Sequence, residues 1–230
     1  MTDGARSAAP RRPPLSLPAR LSLLAWDSAR PPHGADVLPR LVRAGALAEL
    51  AQRGLLVDDH GVATPADLDS STGDPVLDGL LELVRESGPR PWRGWVSAWA
   101  GYTFTAVREQ LTAGGWLRAG PRRALGLLPP ARYTPARAGV PAALRERARR
   151  LLDGTRPAAA ADARDALVAV LAVAAGLLPA PPGADRAARE RRADELAGRA
   201  AAADPALGRV LDELRAALSA AVTAAAPARG

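Results

Sequence analysis

The chain contains no cysteine and no lysine. Without thiols it can form neither disulfides nor thiolate metal sites. His33 and His60 are the only imidazoles, too few for a histidine-built metal or catalytic cluster, so no cofactor is expected. Aromatic residues make up 3% of the chain, while apolar residues make up 48%, chiefly Ala and Leu. Together with Arg and Glu these are good helix formers. The expected fold class is therefore mainly α, a compact single-domain helical bundle with small β-hairpins.

Long apolar runs are also missing. The longest uncharged helical run, Ala166 to Leu178, ends at Pro179 and falls short of the roughly 20 residues that cross a bilayer. It reads as a buried helix. Near the N-terminus Arg6, Arg11 and Arg12 have no long apolar stretch behind them, so no secretory signal is expected. These readings place the protein in the cytoplasm, or peripherally on the inner face of the membrane.

What the chain does have is arginine: all 31 basic residues are Arg, and the net charge is +7. Arginine in place of lysine is what a GC-rich genome produces and needs no function. The charge itself favours an anionic partner, whether nucleic acid, an acidic membrane or a phosphorylated ligand.

At 230 residues the chain can hold one large core, or at most two small domains. Residues 1–14, with Pro10, Pro13 and Pro14, read as a disordered tail, 15–224 as the folded domain and 225–230 as a frayed end. A first helix is expected over Leu17 to Trp26 and a second from Asp36 to Arg53. Asp58-Asp59-His60-Gly61 reads as a hairpin turn between Leu55–Val57 and Val62–Thr64. Trp92, Trp95, Val96 and Trp99 share one helical face, either a core face or an interface that stacks on bases or dips into a membrane; with few other aromatics to build one, core is preferred. A helix follows over Thr105 to Ala113. A second hairpin is expected to pair Trp116-Leu117 with Leu125–Leu128. Later helices are expected over Pro141–Leu152, Asp165–Leu178, Asp185–Ala202 and Pro205–Thr223. The row Arg145, Arg147, Arg149 and Arg150 reads as a solvated face.

Two short stretches are the most specific. Glu49-Leu50-Ala51-Gln52-Arg53-Gly54-Leu55 closes an amphipathic run with glycine, which tolerates the left-handed conformation that ends a helix. Ser71-Thr72-Gly73-Asp74-Pro75-Val76-Leu77-Asp78 opens one, with a capping carboxylate before proline in the first turn. Apolar residues then recur at Val76, Leu77, Leu80, Leu81 and Val84. Capping chemistry alone accounts for both.

In this order and spacing the two stretches also resemble the Golgi phosphoprotein 3 family. Leu15 to Asp27 resembles the family's opening helix, with Ala19 and Arg20 in place of its acidic pair. Gly45 to Gly54 and Thr72 to Asp78 match closely. Gly126 to Pro129, Arg132-Tyr133 and Ala166 to Ala175 resemble later blocks. With its GC-rich arginine bias, the chain would be a bacterial-type member.

The resemblance implies a non-enzymatic, peripheral binder of anionic lipid headgroups. Eukaryotic members bind phosphatidylinositol 4-phosphate and act as adaptors for membrane enzymes. Carried over, Arg43 matches a pocket arginine, and Arg40 and Arg108 are the nearest substitutes for others. The family's pocket tryptophan falls at Gly34, and its two later arginines at Gly101 and Phe104, so the carried-over pocket is incomplete. The hairpin residues Arg118, Arg122, Arg123, Leu125, Leu127 and Leu128 would contact the membrane, or the leucines would pack inward as one strand face. The resemblance also implies a membrane-protein client and self-association through this hairpin.

Two other classes compete with this reading. Helix, glycine and hairpin occur twice, the outline of a winged-helix nucleic-acid binder, but no recognition helix with base-reading residues is visible, so nucleic acid ranks lower. An enzyme ranks third, because no nucleophile elbow, phosphate loop or metal spacing occurs.

Overall fold

A computed structural model describes residues 14–26, 36–120, 133–154 and 156–226. Among these, nine α-helices surround one hydrophobic core, with two short antiparallel hairpins at its margin. The mainly helical expectation holds.

Helix α1 (Leu17–Leu24) packs on α2 (Val37–Gln52). Helix α2 is the axis of the bundle: thirteen of its sixteen residues are buried, which is why its sequence is apolar on nearly every side rather than along one stripe. Gly45 is where α1 passes. A methyl group there would sit 2.5 Å from Leu21 Cδ1 and 3.3 Å from Pro18 Cα.

Beyond α2, Gly54 closes the helix at φ 69°. Strands β1 (Leu56–Asp59) and β2 (Val62–Pro65) then pair with Leu56 opposite Pro65. Their two-residue turn, His60-Gly61, has φ of 50° and 87°, the doubly positive conformation that suits strand twist. The expected turn at Asp58–Gly61 is confirmed. Its reason is visible in Asp58, whose Oδ1 accepts from the Gly61 amide at 3.1 Å and from Trp92 Nε1 at 2.8 Å.

Helix α3 (Pro75–Glu86) is followed by α4 (Trp92–Ser97) and α5 (Ala100–Ala113). One expectation fails here. Trp92, Trp95 and Val96 are core residues, but Trp99 is not on their helix. Ala98 turns extended, Trp99 adopts φ 51°, ψ 28°, and α5 starts at Ala100, five residues earlier than expected. Trp99 is 45% exposed.

The second hairpin also differs from expectation. Strand β3 (Leu117–Ala119) pairs with β4 (Tyr133–Pro135), Leu117 opposite Pro135, a partner the sequence reading did not name. Arg122, Arg123, Leu125, Leu127 and Leu128 lie outside the described residues.

Helices α6 (Gly139–Asp153), α7 (Ala163–Ala174), α8 (Arg186–Ala200) and α9 (Pro205–Ala225) complete the fold. Aspartates cap α3, α7, α8 and α9 through their side chains. The arginine row on α6 is only partly a solvated face. Arg145 donates to the Leu24 carbonyl at 3.0 Å and Arg147 pairs with Asp165 at 2.6 Å, tying α6 to α1 and α7, while Arg149 and Arg150 stay at the surface. No described helix is long and apolar enough to cross a membrane.

Candidate anion site and its surroundings

Arg43 projects from α2 toward the α4–α5 junction. Its Nη2 donates to the Ala98 carbonyl at 2.8 Å. The residue is 1% exposed, and its Nε and Nη1 are buried without a partner among the described residues. Burial removes water from the guanidinium and lowers its pKa to about 10, since desolvation disfavours the charged form.

Other donors around the same segment are unpaired too. The Arg90 guanidinium lies 5.3 Å from the Trp95 ring centre and 5.2 Å from that of Trp99, within the range of cation–π attraction. Arg90 Nε and Trp95 Nε1 are both buried with no acceptor. The two indoles stand 6.2 Å apart at 41°. Beside them Tyr102 is 75% exposed, and its amide donates to the Trp99 carbonyl at 3.0 Å. Four buried N–H groups on Arg43, Arg90 and Trp95 thus gather around the 95–99 segment, under two exposed aromatic rings. Buried donors of this kind normally find an acceptor.

A left-handed tryptophan is uncommon, and such backbone strain concentrates at functional sites. Sequence reasoning missed Arg90, Trp99 and Tyr102. The signal was present, because residues 90–102 hold four of the chain's eight aromatics together with two arginines. What hid it was the three-and-four spacing, which counted Trp99 as a fourth core position.

The other candidates share no hydrogen bond, ion pair or ring contact with this cluster among the described residues. Arg40, one turn before Arg43, is half-buried and makes no hydrogen bond or ion pair among the described residues. Arg108 is nine residues beyond Trp99, roughly 13 Å along a helix axis. Its guanidinium sits 4.0 Å from the Tyr133 ring centre and 4.8 Å from that of Phe104. Burial lowers its pKa, and Tyr133 opposes that shift. Arg108 therefore holds the second hairpin to α5 and shares no partner with Arg43. Arg118, on β3, is exposed.

The carboxylates of the two motif stretches are spent within the fold. Glu49 is fully buried, and its oxygens take the Leu17 amide at 2.6 Å, Arg53 Nη2 at 2.5 Å and Arg164 Nη2 at 2.9 Å. Asp78 accepts from the Thr72 amide, the Thr72 hydroxyl and the Gly73 amide at 2.6, 2.7 and 3.1 Å. Asp74 Oδ1 accepts from Val76 N and Gln110 Nε2, both at 2.9 Å. The motif Thr-Gly-Asp-Pro-Val-Leu-Asp is a self-bonded loop that starts α3 and fastens it to α5.

The sequence profile of one family, Golgi phosphoprotein 3 (GPP34), matches residues 17–225. The chain belongs to the Golgi phosphoprotein 3 family. A comparison with curated proteins returns no match.

Within this Golgi phosphoprotein 3 fold, the carried-over pocket positions can be located. Gly34 lies outside the described residues. Gly101 is exposed beside Tyr102, while Phe104 is half-buried under Arg108. An aromatic ring and a second arginine do accompany Arg43, but they come from Trp99 and Arg90.

Proposed function

We propose that the protein binds anionic lipid headgroups at a membrane surface, as a peripheral member of its family. The observation that carries this reading is the set of four unpaired buried donors on Arg43, Arg90 and Trp95. Phosphate oxygens are the acceptors such a set suits, since arginine offers paired donors in a planar fork. Trp99 and Tyr102 would rest at the interface, where rings with a polar edge are favoured. Arg118 and the other hairpin arginines would add about 1 kcal/mol each near an acidic surface.

The expected specificity is for anionic charge in general rather than for phosphatidylinositol 4-phosphate, because Arg108 faces the hairpin. A membrane-protein client would then meet the protein at the same surface.

Co-sedimentation with vesicles tests this. Phosphatidylcholine alone should bind little. Phosphatidylserine and phosphatidylinositol 4-phosphate, mixed in at equal total charge, should both bind. Salt should weaken binding, since the screening length falls from about 10 Å at 0.1 M to about 3 Å at 1 M. Equal binding to neutral and acidic vesicles would sink the proposal.

A further inference from the structure

A second site stands apart from the arginine–tryptophan cluster. A cavity of about 470 Å³ opens where the first turns of α1 and α3 meet the last turns of α2 and α5. That volume is typical of small-molecule sites, which are mostly apolar with a few placed polar groups. Leu15, Leu111 and Trp116 supply apolar wall, and Ser16, Arg53 and Gln110 supply polar groups.

Ser16 is the informative residue. It occupies the N-cap of α1 but its side chain makes no cap bond. Its Oγ is buried without a partner among the described residues, and the residue is 6% exposed. The Leu17 amide that a capping residue leaves free is taken by Glu49 instead. A buried hydroxyl with no partner is costly, and replacing it would normally help the fold.

Arg53 is held by Glu49 through Nη2, leaving Nε and Nη1 with no acceptor among the described residues. Glu49 is also paired with Arg164, so the trio keeps one uncompensated positive charge. Gln110 and Asp74 are engaged with each other, and Asp74 Oδ1 also caps α3. The donors left unspent in the cavity are therefore the Ser16 hydroxyl and two Arg53 nitrogens, next to the positive end of α1.

We propose that this cavity binds a small amphipathic monocarboxylate. Its carboxylate would accept from Ser16 Oγ and Arg53, and its aliphatic or aryl body would lie against Leu111 and Trp116. The site is independent of the lipid reading, and either can fail alone.

Hexanoate and its neutral isostere hexanamide are suitable probes, read by ligand-detected NMR at neutral pH. Hexanoate should bind the full chain about tenfold more tightly than hexanamide, the increment expected of a charge-assisted bond. Ser16→Ala should unfold at the same or a higher temperature and yet bind hexanoate about tenfold more weakly. The proposal is overturned if hexanoate does not bind, if hexanamide binds equally well, or if Ser16→Ala keeps wild-type affinity. A destabilised Ser16→Ala would also overturn it, by showing that the hydroxyl already has a protein partner.

Discussion

Glu49 and Leu17 are joined at 2.6 Å across 32 residues of sequence, a fully buried carboxylate accepting the first amide of α1. The bond satisfies an end amide of α1 that a capping side chain does not reach, and it gives Glu49 a reason to stand in the buried axis helix. Arg53 and Arg164 make the buried charge tolerable. Glu49→Ala would leave both arginines and the Leu17 amide without an acceptor. Removing one member of such a group costs about 3–5 kcal/mol. Urea unfolding should report a loss of that order, and a loss below 1 kcal/mol would show the network to be dispensable.

Gly45 gives a test in which the sign itself is informative. In an exposed helix, Gly→Ala stabilises by about 1 kcal/mol. Here the new methyl would meet Leu21 Cδ1 at 2.5 Å and the Pro18 backbone at 3.3 Å. Leu21 can shift, but Pro18 Cα is backbone, so α1 must move away from α2. Gly45→Ala is expected to destabilise by about 1–3 kcal/mol, as overpacking does. A more stable variant in thermal unfolding would contradict the close approach.

Asp74 combines a cap with a tertiary bond. Asp74→Ala removes the acceptor of the Val76 and Leu77 amides and of Gln110, for an expected loss of about 1–2 kcal/mol. Asp74→Asn keeps a capping oxygen and should lose less. Equal losses in the two variants would assign the effect to charge rather than to capping.

How legible each feature was depended on whether its cause was local. Asp74-Pro75 announced a helix start because a cap and a proline act within one turn. Asp58–Gly61 announced a turn for the same reason. The partner of β3 was not legible: Tyr133 is held by Arg108, a contact between distant parts of the chain. Arg43 was picked out by its spacing to Glu49 and Arg53, but its burial was not foreseeable, because α2 is covered on every side by helices from elsewhere. Trp99 was misplaced by periodicity, which cannot sense a left-handed residue between two short helices. Ser16 drew no reading of its own, because only its burial beside α2 and α5 shows a hydroxyl without a bond.

Arg43 should separate stability from binding. Its guanidinium is desolvated, with two nitrogens unpaired. Replacing buried charge with an apolar chain of similar length is often stabilising, so Arg43→Met should gain about 1 kcal/mol even after the Ala98 bond is lost. The same variant should bind acidic vesicles more weakly. The lowered pKa of about 10 fixes the pH dependence. Below it both folded and unfolded chains carry the proton, so the group adds no pH dependence near neutrality. Above about pH 10 the folded chain releases its proton first, and Arg43 then makes the fold more stable as pH rises. A less stable Arg43→Met in urea would mean that the guanidinium is satisfied in the free protein.

Trp99 offers the most direct optical test of the membrane surface. Its ring is 45% exposed, next to Tyr102, and its backbone is left-handed. Asparagine tolerates that conformation better than other non-glycine residues. Trp99→Asn should therefore keep the thermal midpoint within about 4 °C, the shift of about 1 kcal/mol for a domain of this size. In the wild type, acidic vesicles should move tryptophan emission to shorter wavelength as Trp99 leaves water. Trp92 and Trp95 are already buried and should contribute no shift. The variant should lose the shift, and its partition to the vesicles should fall. If the shift survives in Trp99→Asn, the membrane meets another face of the protein and the 95–102 segment is not its contact.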